Sequence, residues 1–212
     1  MVTAIIVAAG KSERMGAGTD KAFLNLGPKP VLAWSLLAFE RCTDVDQVVV
    51  VVRKDQIVAT KALARMFGIS KIRAVVAGGA KRQDSVANGL KEIDADTRIV
   101  VVHDGARPCV KPETISGTVK VAKRVGAAVV GCHIWDTVKF VEKGNTVTRT
   151  EDRSKLWAVQ TPQAFSASGR CCGAQLASIR QMSGQVSRGS ADEYQADERA
   201  GVTGLSWRLS GR

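Results

Sequence analysis

The residues best suited to chemistry in this 212-residue sequence lie in a loop near its start. An apolar run ends at Ala8-Ala9-Gly10, small residues whose backbone N–H groups can approach a phosphate. Cations follow at Lys11, Arg14 and Lys21. The letters Gly-Lys-Ser in this loop imitate the end of a P-loop, but that pattern also needs a glycine where Ile5 stands. The loop therefore predicts phosphate binding outside the P-loop class, and a loop of solvated cations is the alternative.

Further polar residues of this kind fall in four segments, at 78–86, 103–108, 136–139 and 156–165. The first two directly follow predicted strands. Both also have a local interpretation. Gly78-Gly79 can be only a turn, with Asp84 or Ser85 as the N-cap of a helix. Asp104 and Arg107 can be an ion pair that locks a loop. The residue types alone leave both interpretations open.

The elements that must position these loops alternate between short apolar runs and longer amphipathic stretches, which is typical of a mostly parallel sheet with crossover helices. Runs rich in Val and Ile predict strands buried on both faces, at Val2 to Ala8, Gln47 to Val52, Ile72 to Val76, Arg98 to Val102 and Ala127 to Cys132. The intervening stretches predict helices at Val31 to Cys42, Gln56 to Phe67, Asp84 to Glu92 and Pro112 to Val125. We therefore predict a single α/β domain, Rossmann-like, over residues 1–165. In such a sheet the ligand lies beyond the carboxyl ends of the strands, where the first loops fall.

A β-hairpin is predicted within residues 135–156. Gly144-Asn145 is a turn signal between an apolar run at Val138 to Val141 and a second run at Thr146 to Thr148. Arg153 follows two acidic residues. On its residue type it can hold a phosphate with two hydrogen bonds or be one solvated charge.

Composition limits the class of protein. The net charge of +11 admits polyanionic partners, but the basic residues are scattered and a single tyrosine leaves little for base stacking, so we expect no nucleic-acid partner. No apolar run approaches the ~18 residues of a membrane helix, and no basic residue precedes the first run, so we expect a cytoplasmic protein without membrane association. His103 and His133 have no ligand-type residues at metal spacing, and we expect no metal held by the protein itself.

The composition changes at Phe165. Every lysine precedes it, whereas residues 166–212 are rich in Ser, Arg and Gly and lack apolar periodicity. We expect this stretch to be an atypical tail that is disordered or arose from a change of reading frame.

Taken in order, the opening Ala-Ala-Gly-x-x-x-Arg-Met-Gly, Lys21 and the four later segments resemble the 2-C-methyl-D-erythritol 4-phosphate cytidylyltransferases, over about residues 2 to 165. The ribitol-5-phosphate cytidylyltransferases are close relatives and remain an alternative. The resemblance implies a nucleotide-sugar-transferase-like fold and transfer of CMP from CTP to methylerythritol phosphate, giving CDP-methylerythritol and pyrophosphate in the non-mevalonate isoprenoid route. It also implies Mg²⁺ bound mainly through the CTP phosphates, and a homodimer in which the hairpin is an arm that reaches the second subunit.

The resemblance further implies roles for individual residues. Catalytic positions, which stabilise the transition state or hold the acceptor phosphate, are Arg14, Lys21 and Arg153. Nucleotide-binding positions are Ala8, Ala9, Gly10, Gly79, Ser85 and Ala106. Acceptor-binding positions are Asp104, Arg107, Thr137, Arg153 and Thr161. The last three fall on the substrate-phosphate positions of the family, and Arg153 serves the neighbouring subunit.

Three departures from the family pattern set limits on that assignment. Ala80 stands where the family usually has an acidic residue, and Gly105 replaces an alanine. The last strand of the family, which carries a lysine, has no counterpart in the tail. A CTP-binding remnant of weak activity is therefore a second alternative.

Overall fold

A seven-stranded sheet forms the centre of the structure. The structure is a computed structural model, and it describes residues 1–10, 21–142 and 144–167 and the backbone of 203–206. The strands of the sheet are β1 (Val2–Ala8), β4 (Gln47–Val52), β5 (Ile72–Ala77), β6 (Ile99–Asp104), β7 (Ala127–His133), β10 (Trp157–Ser166) and β11 (Thr203–Ser206). Two small hairpins supply β2 (Asn25–Leu26) with β3 (Lys29–Pro30), and β8 (Lys139–Val141) with β9 (Val147–Thr150). The strand order in the sheet is β11-β7-β10-β6-β1-β4-β5.

The parallel centre of the sheet is built from the Val- and Ile-rich runs. β1 pairs in parallel with β6 on one side and β4 on the other, so that Ile5 lies between Val102 and Val49. Every residue of β1 is buried, as expected for a parallel strand covered on both faces. The five strands predicted from these runs are confirmed, with ends within two residues of the expected ones.

Helices cover both faces of the sheet. They are α1 (Val31–Arg41), α2 (Ile57–Met66), α3 (Arg82–Leu90) and α4 (Pro112–Val125). One core cluster joins α1, α2 and α4 to the face of β1 that carries Ala4 and Ile6, and a second joins α3 to the face that carries Ile5 and Val7. The Rossmann-like α/β architecture is thereby confirmed. In the described part of the chain, no helix has the length and apolar character needed to cross a membrane.

Strand β10 is the element of the core that the sequence patterns did not predict. It lies antiparallel between β6 and β7, and its register against β7 shifts between Val159 and Gln163. The stretch between those residues contains Gln-Thr-Pro, which breaks the apolar run and places a residue without an N–H inside a strand. The sheet is therefore parallel at its centre and antiparallel beyond β6.

The tail supplies one strand, although its sequence lacks the apolar periodicity that would predict one. β11 pairs antiparallel with β7, from Thr203 opposite Gly131 to Ser206 opposite Ala128. This pairing covers the outer edge of β7, which would otherwise present unpaired backbone groups. The other residues expected to form a disordered or frame-changed tail, from 168 to 202 and from 207 onward, lie outside the described residues.

The predicted hairpin is present as β8 and β9. Lys139 lies opposite Thr150, and Gly144 in the turn has a φ of +62°, a conformation that favours glycine. We call residues 135–156 the arm. The strands of the arm are exposed over their whole length.

Candidate active site

The turn after β1 lies at the carboxyl edge of the sheet. Ala8 is buried, Ala9 is half-buried and Gly10 is exposed. A Cβ added at Gly10 would meet no described atom within 4 Å, so the described residues leave room at this position. Of the two cations assigned to the transition state, Arg14 lies outside the described residues. Lys21 is half-buried and begins a 3-10 turn, Lys21–Phe23, whose Ala22 belongs to the core cluster of α1.

A second loop, between β5 and α3, packs directly against the first. The backbone N–H of Gly78 donates to the carbonyl of Val52, and a Cβ on Gly78 would stand 2.2 Å from the Cβ of Ala9 and 2.8 Å from Ser85 Oγ. Only glycine permits that approach, because Cβ atoms essentially never lie so close. The structure therefore brings Ala9 and Ser85 together as the sequence analysis expected, through a glycine that it did not assign to the site.

Side chains inside this second loop hold its shape. Gly79 N–H donates to Ser85 Oγ at 3.1 Å, and Ser85 Oγ donates to the carbonyl of Lys81 at 3.2 Å. Asp84 Oδ2 accepts from the N–H of Lys81 at 3.0 Å, three residues into the helix. The helix begins two residues earlier than expected, with Lys81 as its N-cap, so Asp84 and Ser85 hold the loop from inside the helix and neither is the N-cap that the local interpretation proposed. Gly79 itself is exposed, and a Cβ added there would stand 2.3 Å from the Cβ of Asp84, so the loop itself requires glycine at this position.

Asp104, at the end of β6, is clamped by two arginines. Arg82 donates from Nε and Nη2 to Asp104 Oδ1 at 3.0 and 2.8 Å, and Arg107 Nε lies 3.6 Å from Asp104 Oδ2. Ala106 is exposed between the members of this clamp. The Asp104–Arg107 ion pair, one of the two interpretations that the residue types left open, is present in the structure. Arg82 was missed, because a basic residue at the start of a helix carries no signal of its own without the strand that ends opposite it.

A buried histidine joins Thr161 to the same loop. His103 is fully buried, and its Nδ1 lies 3.1 Å from Thr161 Oγ1, while its Nε2 lies 3.3 Å from the carbonyl of Arg107. The N–H of Asp104 donates to Thr161 Oγ1 at 3.2 Å. The structure thereby brings together three acceptor-binding positions from the sequence analysis, Asp104, Arg107 and Thr161. Burial lowers the pKa of His103 from 6.5 to about 4, since the charged form is poorly solvated there.

We expect this burial to make the protein sensitive to acid. The unfolded chain takes up a proton at His103 near pH 6.5 and the folded chain only near pH 4, so the free energy of unfolding falls between those values and is flat outside them for this group. The loss is about 3 kcal/mol across the window. Urea unfolding of the wild type and His103→Asn, at pH 7 and pH 4.5, measures it. The wild type should lose more stability than the variant, and an equal loss in both would contradict the burial of His103.

The remaining predicted residues lie on the arm. Arg153 Nη1 donates to the carbonyl of Trp135 at 2.6 Å, and Arg153 and Thr137 are exposed. Among the described residues, the hydrogen bonds of Arg153 stay within the arm. Within one chain, the structure therefore does not join Arg153 to the loops at the end of β1 and β5.

The described residues contain no group of three or more His, Cys, Asp and Glu side chains that could hold a metal ion. Two carboxylates described at this edge already have partners: Asp104 is paired with Arg82 and Arg107, and Asp84 accepts from the N–H of Lys81. The described part of the edge presents the guanidinium groups of Arg82 and Arg107, a side-chain type that suits phosphates.

Comparison with known proteins agrees with this geometry. The family model described as IspD, 2-C-methyl-D-erythritol 4-phosphate cytidylyltransferase, matches residues 2–203. The enzyme of that name from Alkaliphilus metalliredigens is 41% identical over 165 residues, 77% of this chain and 68% of the relative. The one from Halalkalibacterium halodurans is 45% identical over 161 residues, 76% of this chain and 70% of the relative.

A solved structure gives the same result. The 4-diphosphocytidyl-2C-methyl-D-erythritol synthase of Anaerococcus prevotii superposes with a TM-score of 0.69 at 27% identity, covering 85% of this chain and 82% of the other. The match of the family model over nearly the whole chain and the identity of the relatives both exceed what a shared fold alone requires. The chain belongs to the 2-C-methyl-D-erythritol 4-phosphate cytidylyltransferase family.

Proposed function

We propose that this protein transfers the cytidylyl group of CTP to 2-C-methyl-D-erythritol 4-phosphate, in the cytoplasm, as a step of non-mevalonate isoprenoid biosynthesis. The observation that carries the proposal is the meeting of three loops at one sheet edge: the open turn at Gly10, the loop held by Gly78 and the clamp on Asp104. Family membership names the reaction. The loops supply the backbone donors and cations that the reaction needs.

The reaction requires the protein to position the two substrates and to neutralise the negative charge on their phosphates. A phosphate oxygen of the acceptor attacks the α-phosphorus of CTP, a new P–O bond forms, and the bond to the β-phosphate breaks as pyrophosphate leaves with its electron pair. The acceptor oxygen is already ionised, so no general base is needed. Negative charge spreads over the transferring phosphate, and Lys21 with Arg14 would neutralise it.

Binding of the two substrates divides between the loops. We assign the triphosphate and the base of CTP to the exposed backbone at Gly10 and Gly79, the positions that the family resemblance implies. Asp104 and Arg107 suit the polyol, since the carboxylate accepts from hydroxyls and the guanidinium retains donors beyond its pairing with Asp104. Mg²⁺ would be held mainly by the CTP phosphates, where it would offset their charge.

We also propose that the active form is a homodimer in which the arm of one chain completes the site of its partner. The arm exposes large apolar side chains, with 83% of Trp135, 52% of Val147 and 43% of Val141 accessible. Such a surface on a slender hairpin is typical of a segment that packs on another chain. Arg153 lies at the base of this arm, away from the loops of its own chain.

The dimer predicts complementation between two inactive variants. When Arg153→Ala chains are mixed with Lys21→Ala chains, each heterodimer should contain one intact site, so activity should recover to a fraction set by the share of heterodimers. Pyrophosphate release after mixing and size-exclusion checking measures it. As the control, a chain carrying both substitutions is mixed with the wild type, and those heterodimers should contribute no activity. The opposite pattern would place Arg153 in the site of its own chain.

The activity itself is tested by pyrophosphate release from CTP, ATP, GTP or UTP with a panel of acceptors. We expect CTP and 2-C-methyl-D-erythritol 4-phosphate to be the preferred pair. A preference for ribitol 5-phosphate would support the close relatives instead. Thermal stabilisation by CTP–Mg²⁺ without turnover would identify a nucleotide-binding remnant, and stabilisation by RNA alone would contradict the proposal.

A further inference from the structure

A chain of hydrogen bonds runs beneath the loop after β6, which carries Asp104 and Arg107. The residue at the centre of this chain has no role in the reaction as described above. His103 is the only fully buried ionisable side chain among the described residues, and its ring nitrogens reach Thr161 Oγ1 and the carbonyl of Arg107. Thr161 lies on β10, which reaches β6 only through the antiparallel insertion. The histidine thus connects two elements that are 58 residues apart in sequence.

The partners of the ring determine where its proton lies. A carbonyl oxygen can only accept, so Nε2, which faces Arg107, carries the hydrogen. Nδ1 of the neutral ring is then an acceptor, and the hydroxyl of Thr161 must donate to it. The oxygen of that hydroxyl already accepts from the N–H of Asp104. Thr161 therefore has no hydrogen left to donate, and one lone pair with which to accept.

The surroundings hold the ring neutral. The charged groups that face it are Asp104, Arg107 and Arg82, from its own strand end and from α3, and the ring of Phe39 on α1 lies 5.1 Å away. Burial lowers the pKa of the ring to about 4, so the donor and acceptor pattern stays fixed at neutral pH.

We propose that His103 is a positioning residue for the acceptor substrate, because its Nε2–H tautomer fixes Thr161 as a hydrogen-bond acceptor and holds the backbone of Arg107 beside Asp104. The proposal rests on the proposed function. It assigns to Thr161 a hydroxyl of the polyol as partner, since an anionic phosphate oxygen needs a donor and Thr161 has none to give. This differs from the phosphate-binding role that the family resemblance implies for that residue.

Two variants of His103 distinguish the hydrogen bond made by Nδ1 from the one made by Nε2. In His103→Asn the side-chain oxygen can replace Nδ1 as acceptor for Thr161, whereas in His103→Gln the longer amide can replace Nε2 as donor to Arg107. We expect each to raise the KM for the acceptor tenfold or more, because each loses one of the two links. The Kd for CTP should change less than threefold, since of the residues assigned to the nucleotide only Ala106 lies on the loop that follows His103. His133→Asn is the matched control, because His133 is exposed and stacks on Trp157, and it should leave both constants within threefold.

A spectroscopic measurement keeps the proposal testable if the variants fail to fold. The chain has two histidines, so ¹⁵N-detected imidazole spectra of the wild type and of His133→Asn assign His103 directly. We expect its Nε2 to be protonated and its Nδ1 unprotonated at pH 7. The opposite tautomer would overturn the proposal, as would an equal loss of CTP and acceptor binding in the variants. If the wild type failed to transfer cytidylyl groups, the proposed function would fall, while the tautomer would still be measured.

Discussion

Replacing Lys21 with alanine is expected to lower kcat by a hundredfold or more while the Kd for CTP changes far less. The ammonium group would act on charge that develops as the transferring phosphate passes through its transition state, so its loss costs roughly 3 kcal/mol or more in the barrier and little in the ground state. The structure supports this role by anchoring the lysine. Its 3-10 turn is fixed through the buried Ala22 in the core beside α1. Single-turnover rates at saturating CTP, together with nucleotide affinity by calorimetry, measure the two quantities.

A matched lysine provides the control. Lys61 is exposed on α2, so Lys61→Ala removes the same charge from the protein without touching the sheet edge. It should keep kcat within twofold. Normal turnover in Lys21→Ala would remove this residue from the mechanism, and an equal loss of kcat in both variants would show that the effect comes from the overall charge.

The parallel half of the fold was predictable because its signals are local. In the sequence, Pro112 marks the start of α4 and Gly126 marks its end. The structure has the helix at Pro112–Val125, with Gly126 as its C-cap at a φ of +96°. Strands such as β1 and β4 are recognisable because burial on both faces favours a nearly continuous apolar run rich in Val and Ile. These elements can be predicted without knowing which residues far away in the sequence they contact.

The parts that were missed depend on distant partners. β10 is stabilised by pairing with β6 and β7, so it tolerates a proline and a shift in register that no local pattern would assign to a strand. His103 was predicted to be isolated, and in sequence it is. Its partner Thr161 becomes a neighbour only after β10 inserts beside β6. The same limit applies to Arg82, whose carboxylate partner ends a different strand.

The edge strand β11 shows a related limit. Strand pairing uses backbone groups, so a short segment without an apolar pattern can still pair with β7, whose outer edge would otherwise carry unpaired N–H and C=O groups. Composition alone therefore could not exclude it. The family model reaches residue 203, the first residue of this strand.

Gly78→Ala is expected to weaken CTP binding tenfold or more and to lower the free energy of unfolding by about 1–3 kcal/mol, as overpacking usually does. Its new methyl group would need the place occupied by Ala9 Cβ, 2.2 Å away, and would press on Ser85 Oγ at 2.8 Å. Neither neighbour is the end of a flexible chain, so the turn after β1 must move away from the loop before α3. Those two loops together form the proposed nucleotide site. Urea unfolding and calorimetric titration with CTP–Mg²⁺ measure the two effects.

Gly10→Ala distinguishes an effect on CTP binding that comes from a destabilised fold from one that comes from steric exclusion of the ligand. A methyl group there meets no described atom within 4 Å, so the free energy of unfolding should stay within about 0.5 kcal/mol of the wild type. If the triphosphate lies against this backbone, the same methyl group should still reduce CTP affinity tenfold or more, because it occupies space that the ligand needs. Unchanged CTP binding in Gly10→Ala, alongside weakened binding in Gly78→Ala, would move the nucleotide away from the turn and onto the β5–α3 loop alone. Unchanged binding in both would place it elsewhere on the sheet edge.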